Sequence, residues 1–234
     1  MMRALRVWRD RHRHRRGPWA ALLAPPPASQ WVSLDLETTG LDPRRDRILS
    51  IAAVPIAGRR IQLGARFEAL VRPDPTDAPP DLDAIRHHRL RPQDLEHGVA
   101  LHDAVAALLH WLGPRVLVGY RIGFDIAMLD RVVPTITGFR LPHRRIDLVD
   151  RFRARARHRQ PDAIGGEVDF EHMAAALGVP MLARHSALGD AMTAAACWLV
   201  LDAPARRSPD AASQHDVGAG PARPPRPGDE NYLI

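Results

Sequence analysis

Hydrophobic and polar positions alternate in the first half of the chain. Residues 31–37 follow a period of two, which predicts a strand, and a turn-forming stretch at 38–43 comes directly after it. Residues 47–57 and 60–71 predict two further strands, and Gly58 marks the turn between them. The first half of the chain is therefore expected to form a hairpin-rich sheet.

From Leu101 onward the apolar spacing becomes helical. Residues 101–112 place their leucines and valine on one helix face, and Gly113 ends that helix. A short buried strand is predicted at 115–119, and further helices are predicted at 124–133, 147–157, 169–177 and 186–201. Strands followed by a strand and several helices indicate an α/β fold with a mixed sheet flanked by helices.

Composition divides the chain into three parts. Residues 1–30 hold seven Arg and one Asp, whereas residues 31–201 hold 22 Arg and 21 acidic residues, so the high pI of about 10.9 belongs to the N-terminal part. Residues 202–234 are rich in Pro, Ala, Arg and Gly and show no apolar periodicity. We therefore predict a basic N-terminal arm (1–30), one domain (31–201) and a disordered tail (202–234).

Composition also excludes several classes of protein. No apolar run approaches the 18 or so residues of a membrane span, and residues 19–24 are too short for a secretory signal, so the sequence predicts no membrane span and a cytoplasmic location. The single cysteine, Cys197, excludes an internal disulfide and a cysteine-rich zinc site. Cys197 lies in an apolar run and is expected to be a buried thiol.

Two carboxylates share one face of the first predicted strand. Asp35 and Glu37 are two residues apart, so the strand period points both side chains to the same side. Such a pair is costly without a cation between its members, and hard oxygen ligands suit Mg²⁺ or Mn²⁺. A solvated strand face is the alternative interpretation of the pair taken alone.

Two more acids and a histidine lie in apolar surroundings. Asp125 follows the buried strand at the start of a predicted helix, where a stabilising contact with the helix dipole is the simplest alternative. Ser186 is a candidate helix cap, so His185 would lie on the preceding loop and Asp190 one turn into the helix. His185 and Asp190 could then point at the same site.

These motifs, in this order, resemble those of a known enzyme family. Asp35-x-Glu37-Thr-Thr-Gly40, then Phe124-Asp125, then His185-x-Ala-x-x-Asp190 are similar to the three motifs of the DEDDh (DnaQ-like) 3'–5' exonucleases, the group that includes the proofreading epsilon subunit of bacterial DNA polymerase III. The resemblance covers residues 31–201. It implies an RNase H-like fold with a mixed five-stranded sheet flanked by helices.

The resemblance also implies roles for individual residues. Asp35 would bridge two Mg²⁺ (or Mn²⁺) ions, Glu37 and Asp190 would complete the shell of the first ion, and Asp125 would hold the second. His185 would be the general base that takes a proton from the attacking water. The catalytic and metal-binding candidates are thus Asp35, Glu37, Asp125, His185 and Asp190.

Substrate contacts are expected beside these acids. Thr38, Thr39 and Gly40 could offer hydroxyl and backbone N–H groups to the terminal nucleotide, although an ordinary turn is the alternative. Arg121 stands where the family often has Asn, and it could meet a phosphate or pair with a nearby acid. Asp147 is expected to be a helix cap or a scaffold residue rather than a metal ligand.

A dense run of arginines follows Asp125. Residues 140–159 contain eight Arg and two Asp, which favours contact with a nucleic-acid backbone, while a solvated helix face is the alternative. The N-terminal arm could add salt-sensitive affinity for nucleic acid, or bind acidic lipid or another protein.

The expected function is that of an enzyme acting on nucleic acid. The prediction is a two-metal exonuclease that releases nucleoside 5'-monophosphates from the 3' ends of DNA, in proofreading, repair or processing. The alternatives are the same chemistry on RNA, and a nucleic-acid-binding or polymerase-associated adaptor with little turnover. Single-stranded or 3'-terminal nucleic acid is the expected partner, and a DNA polymerase subunit is a candidate partner.

Overall fold

Among the residues that the structure describes, six strands form one mixed sheet at the centre of the fold. The structure is a computed structural model that describes residues 2–74, 88–157 and 166–203. The strands among these residues are β1 (Gln30–Thr38), β2 (Ile48–Ala57), β3 (Arg60–Ile61), β4 (Phe67–Leu70), β5 (Val116–Gly119) and β6 (Arg145–Asp147). The helices are α1 (Met2–His14), α2 (Pro92–Leu95), α3 (Leu101–Leu112), α4 (Gly123–Leu129), α5 (Val133–Thr137), α6 (Leu148–Arg157), α7 (Phe170–Ala176) and α8 (Ala187–Leu201).

Strand β1 is central and has an antiparallel neighbour on one side and a parallel neighbour on the other. It runs antiparallel to β2 and parallel to β5, and β6 extends the parallel side beyond β5. Strands β3 and β4 both pair with β2 on the antiparallel side. Because β1 and β5 are parallel neighbours, the chain must cross over between them. Helix α3 lies in the part of this connection that leads from β4 to β5.

The two faces of β1 pack against different helices. Val32, Leu34 and Leu36 are buried in a core that includes the leucines of α3. The intervening residues of β1 face the other way, toward α8, whose length is largely buried. Because side chains alternate along a strand, every second residue of β1 is directed at α8.

The predicted α/β architecture, a mixed sheet flanked by helices, is confirmed, but its sheet has six strands among the described residues instead of five. The predicted strand at 60–71 is divided into β3 and β4 by a 3-10 turn at Leu63–Ala65. The helix predicted at 147–157 begins one residue later, because Asp147 ends β6 and its Oδ1 accepts the backbone N–H of Val149 at 3.0 Å. Asp147 thus has the capping role expected of it.

The N-terminal residues contribute to the packed core. A 3-10 turn at Ala20–Leu23 buries Leu22 and Leu23, and the ring of His14 contacts Phe139 at a centroid distance of 5.0 Å. Part of 1–30 therefore packs on the domain, since an apolar stretch follows its arginines. The predicted tail at 202–234 lies outside the described residues from 204 onward.

No described helix combines the length and the apolar composition needed to cross a membrane. The thiol of Cys197 is buried on α8, as expected, and burial raises its pKa to about 12.

Candidate active site

Three carboxylates from two elements converge on one point. Asp35 and Glu37 extend from the α8 side of β1, and Asp190 lies in the first turn of α8. Ser186 caps this helix, because its Oγ accepts the backbone N–H of Gly189 at 3.1 Å. Each of the three acids offers a carboxylate oxygen, and these oxygens lie within 4.8 Å of one another. We call Asp35, Glu37 and Asp190 the carboxylate triad.

Asp125 lies beside the triad and is held by β1 itself. Its Oδ1 accepts the backbone N–H of Leu36 at 3.1 Å, and the residue is 5% exposed at the start of α4. Pairing of β1 with β5 extends only to Ser33, so the edge of β1 is open to Asp125 at Leu36. Asp125 is not a member of the triad, yet its position places its charge near Asp35.

Burial raises the pKa of all four carboxyls, and repulsion from neighbouring acids adds to this at Asp35, Glu37 and Asp125. Desolvation is the largest cause at each residue. The pKa of Glu37 is raised to about 7 and that of Asp125 to about 8, while the pKa of Asp35 is raised well above its usual range by burial and by the charges of Asp125, Glu37 and Asp190. Asp35 as a residue is only partly buried, and the charges of the other acids act on its carboxyl. A group of acids that resists ionisation in this way is suited to binding a cation.

Arg184 supplies a positive charge at the edge of the triad. Its Nη1 lies 3.1 Å from Asp190 Oδ2, and its Nε lies 3.0 Å from Glu171 Oε1 on α7. The guanidinium also lies over the ring of Phe170 at 5.7 Å. Arg184 lowers the pKa of Asp35, Glu37 and Asp190 and so partly opposes the effect of burial. Neither Arg184 nor Glu171 was predicted from the sequence as part of the site.

The donor set fits a divalent metal ion. Oxygen ligands from Asp and Glu are those that Mg²⁺ and Mn²⁺ prefer. Asp190 Oδ1 is buried and has no hydrogen-bond partner among the described residues, although Oδ2 of the same carboxylate is paired with Arg184. A buried carboxylate oxygen normally has a partner, so this atom is the clearest structural sign that the site fits a cation.

His185 lies on the loop before α8, as expected. Its φ is +65°, a left-handed conformation that few residues other than Gly adopt readily. The backbone N–H of His185 lowers the pKa of Asp190, so the loop and the first turn of α8 are in contact. The structure therefore brings His185 to the triad through Asp190.

Gly189 permits this contact. A Cβ at position 189 would lie 2.1 Å from the carbonyl oxygen of Leu182 and 2.2 Å from that of Ala183, so only glycine lets the loop approach α8. A glycine inside a helical pattern gives no sign of such an approach in the sequence.

We expect Gly189→Ala to lower activity at least tenfold and to lower the melting temperature, because the backbone next to Arg184 and His185 must move. Alanine normally stabilises a helix by about 1 kcal/mol over glycine, so destabilisation would be the opposite of the usual effect. Gly123→Ala is the matched control, since a Cβ there meets nothing within 4 Å. Thermal unfolding and initial rates of both variants test this prediction, which is wrong if both behave alike.

The loop after β1 is an ordered turn around Asp46. Thr39 Oγ1 donates to Asp46 Oδ1 at 3.1 Å, and Thr38 Oγ1 donates to the carbonyl of Gly40 at 2.7 Å. A Cβ at Gly40 would lie 2.6 Å from Asp46 Oδ2. Both hydroxyls therefore have partners inside the turn, and contacts of Thr38, Thr39 and Gly40 with substrate remain predictions.

Arg121 follows β5 and pairs with an acid. Its guanidinium contacts Glu167 and lies over the ring of Tyr120, which stacks on Phe170 at a centroid distance of 4.7 Å. The φ of Arg121 is +48°, so the backbone there is also left-handed. Of the two roles considered for Arg121, pairing with an acid is seen directly, and contact with a phosphate remains a prediction.

The raised pKa values predict how the stability of the metal-free protein depends on pH. A carboxyl whose pKa is raised by folding binds more protons in the folded state, so its folded form loses stability as pH rises from the ordinary pKa to the raised one. For Glu37 this window runs from 4.5 to about 7. In a chelator, Glu37→Gln should be more stable than the wild type above pH 7, on the order of 3 kcal/mol, and the difference should shrink toward pH 4.5. Urea unfolding of both proteins across this range checks the prediction, and a constant difference would contradict it.

Known proteins resemble this chain in sequence. A family model described as an exonuclease (RNase_T) matches residues 32–197. DNA polymerase III subunit epsilon of Treponema pallidum is 28% identical over 161 residues, which cover 69% of this chain and 71% of that protein. An oligoribonuclease of Sodalis glossinidius is 31% identical over 145 residues, which cover 58% of this chain and 79% of that protein.

A solved structure shows the same fold. The E. coli ExoI–ssDNA complex, bound to zinc, has a TM-score of 0.59 at 22% identity, covering 75% of this chain. The match spans 40% of that protein, so the chain corresponds to about two fifths of its length. The likeness confirms the predicted RNase H-like fold.

Proposed function

The chain belongs to the exonuclease family, as a DEDDh (DnaQ-like) 3'–5' exonuclease domain, and from this we propose that it removes nucleotides from the 3' ends of DNA with two Mg²⁺ (or Mn²⁺) ions. The products would be nucleoside 5'-monophosphates. The observation that carries the proposal is the carboxylate triad with Asp125 and His185 beside it. All five residues of the family's site are present, which disfavours an adaptor that has lost turnover.

Each acid has a place in the proposed site. Asp35, Glu37 and Asp190 would hold one ion, and Asp35 with Asp125 would hold the second. Bound ions of this kind activate water and neutralise charge on the attacking and leaving oxygens of a phosphodiester. The unpartnered Oδ1 of Asp190 supports the first assignment.

His185 would act as the general base. Its loop is fixed against α8 by Ser186 and Gly189, which would hold the imidazole next to the acids. A neutral imidazole near pH 7 can accept the proton of the attacking water and pass it to solvent.

The substrate-binding proposals concern the turn after β1 and the start of α4. Thr38, Thr39 and Gly40 would contact the terminal nucleotide, chiefly through backbone groups, because the threonine hydroxyls already donate within the turn. Arg121 would contact a phosphate after its ion pair with Glu167 breaks, which costs little because ion pairs at the surface are weak.

The relatives favour different nucleic acids as the substrate of this chain. The epsilon subunit is a DNA polymerase component and the ExoI structure holds single-stranded DNA, which favours DNA with a single-stranded 3' end. The oligoribonuclease supports RNA as the second candidate. Proofreading would require a DNA polymerase subunit as partner, whereas repair or processing would not.

Arg184 predicts a measurable effect on metal binding. Its guanidinium competes for Asp190 Oδ2 and repels a cation in the triad. Arg184→Gln should therefore bind Mn²⁺ about three- to tenfold more tightly than the wild type, as measured by calorimetry. Arg66→Gln, which removes an exposed arginine paired with Glu68, is the control and should bind like the wild type. Equal or weaker affinity in Arg184→Gln would overturn this prediction.

The proposed function is tested by digestion of matched DNA and RNA oligonucleotides. Each is labelled at the 5' end and supplied with a free or a phosphate-blocked 3' end, in Mg²⁺, Mn²⁺ or EDTA. We expect metal-dependent shortening one nucleotide at a time from the free 3' end, with faster cleavage of DNA. Faster cleavage of RNA would select the second candidate. Binding without cleavage of any oligonucleotide would refute the nuclease and favour the adaptor.

A further inference from the structure

A cavity lies between α1 and the segment that leads into β6. It has a volume of about 430 Å³. Its wall combines three arginines, a histidine and an aspartate with two apolar side chains: Arg6, Arg140, Arg145, His143, Asp130, Ile126 and Leu141. We call this cavity the arginine pocket. Its volume is within the range of pockets that bind small organic ligands, a nucleotide among them.

The arginine pocket is separate from the carboxylate triad. Arg145 pairs with Leu117 in the sheet, and Leu117 pairs with Val32 on β1. Asp35 lies three residues further along β1, which corresponds to about 10 Å at the usual rise of a strand. Arg145 therefore lies toward the other end of the parallel strands, while Ile126 in the pocket wall directly follows Asp125.

Two basic parts of the sequence meet at this pocket. Arg6 comes from the N-terminal segment, whose helix α1 is positioned by the contact of His14 with Phe139 and by a 2.6 Å hydrogen bond from Arg11 Nε to the carbonyl of Leu23. Arg6 lies two turns before His14 on the same helix face. Arg140 and Arg145 come from the arginine-rich run that follows α5.

The guanidinium groups of the pocket have no ion-pair partner among the described residues. The side chains of Arg6, Arg140 and Arg145 make no hydrogen bond or ion pair with any other residue in the described part of the chain, and Arg6 Nε is buried. Asp130 is the acid in the wall, and its Oδ1 already accepts the backbone N–H of Leu141 at 2.8 Å. The pocket therefore has a clear excess of positive charge.

Other arginines of the same run are engaged in packing. Arg153 donates to the carbonyl of Gly166, Arg155 donates to that of Val200, and Arg151 lies over the ring of Trp198. These three arginines of α6 thus contribute to packing, whereas Arg140 and Arg145 line the pocket. The sequence alone gave no basis for this distinction.

We propose that the arginine pocket binds phosphate groups, and that their source is the backbone of a polynucleotide strand. The planar guanidinium matches the oxygens of a phosphate and can donate two parallel hydrogen bonds to it. A cavity larger than one phosphate, with the apolar side chains of Ile126 and Leu141 in its wall, leaves room for the attached sugar. The choice of a polynucleotide rests on the proposed function, whereas phosphate binding itself does not. A free phosphate or mononucleotide shares the same chemistry.

The experiment compares Arg140→Gln/Arg145→Gln with a control of equal charge, Arg59→Gln/Arg60→Gln, whose arginines are exposed at the turn into β3. Binding of fluorescent single-stranded DNA is measured by fluorescence anisotropy in EDTA, across salt concentrations. Strands of about 4 and about 20 nucleotides are compared, because the shorter strand offers only a few phosphates to the protein and the longer strand offers many. Protection by inorganic phosphate, pyrophosphate and a deoxynucleoside monophosphate is measured by thermal unfolding.

We expect the pocket variant to bind the longer strand at least tenfold more weakly than the control at low salt, with a salt slope smaller by about 1 to 2. The shorter strand should be affected less. If strand binding matches the control while protection by phosphate or nucleotide is lost, the pocket binds a free phosphate compound and the polynucleotide source is wrong. If neither changes relative to the control, the pocket is not a phosphate site.

These outcomes are independent of catalysis. A wild-type protein that binds strands through the pocket but cleaves none would refute the proposed function and leave the pocket standing. If the wild type cleaves 3' ends while the pocket variant binds strands like the control, the proposed function stands and the phosphate pocket is refuted.

Discussion

Asp35→Asn should abolish metal-dependent hydrolysis, with a loss of at least about a thousandfold in kcat. Asp35 is the acid whose pKa responds to all three others, so it occupies the centre of the negative charge. Asparagine has the same shape but cannot supply the charge that a shared metal ion needs. Single-turnover digestion of an end-labelled oligonucleotide measures the loss.

The same substitution should raise the stability of the metal-free protein, because it removes one of several mutually repelling carboxyls. Loss of activity together with a higher melting temperature in EDTA cannot be explained by unfolding. Asp150→Asn, an exposed acid on α6, is the control and should leave both quantities unchanged. Retention of more than a tenth of the activity in Asp35→Asn would contradict the assignment.

His185→Asn should lower kcat by about a hundredfold or more while leaving oligonucleotide affinity within about threefold, as expected for loss of a general base. Asparagine is chosen because it tolerates the left-handed backbone at position 185, where φ is +65°. The loop therefore keeps its path, and only the imidazole is removed.

The pH profile distinguishes a general base from a structural residue. Wild-type kcat should rise with pH through the range in which imidazole loses its proton and then level off, and this rise should be absent in His185→Asn. His172→Asn, an exposed histidine on α7, serves as the control. An unchanged profile in His185→Asn, or a loss of affinity equal to the loss of rate, would remove His185 from the catalytic role.

Local periodicity was sufficient to predict part of the site. The period of two in β1 placed Asp35 and Glu37 on one face, and the cap at Ser186 placed Asp190 one turn into α8. Both rules depend only on residues close in sequence. The order of the motifs then indicated the exonuclease family, which the family model confirms.

Long-range contacts were not predictable in the same way. The hydrogen bond from Leu36 to Asp125 joins residues 89 positions apart, and the pairing of Arg184 with Glu171 depends on how α7 packs beside α8. Strand β6 was missed because its three residues are too few to show a period. Gly189 was missed because the need for glycine arises from the approach of another segment, not from the helix.

The most direct test of the account is a titration of Mn²⁺ into the wild type and into Asp190→Asn, with 3'-end hydrolysis measured on the same preparations. The triad and its unpartnered Asp190 Oδ1 predict that the variant binds Mn²⁺ at least about tenfold more weakly and that its hydrolysis falls in parallel. If Asp190→Asn hydrolyses 3' ends with the same dependence on Mn²⁺ as the wild type, the carboxylate triad is not the metal centre of this enzyme.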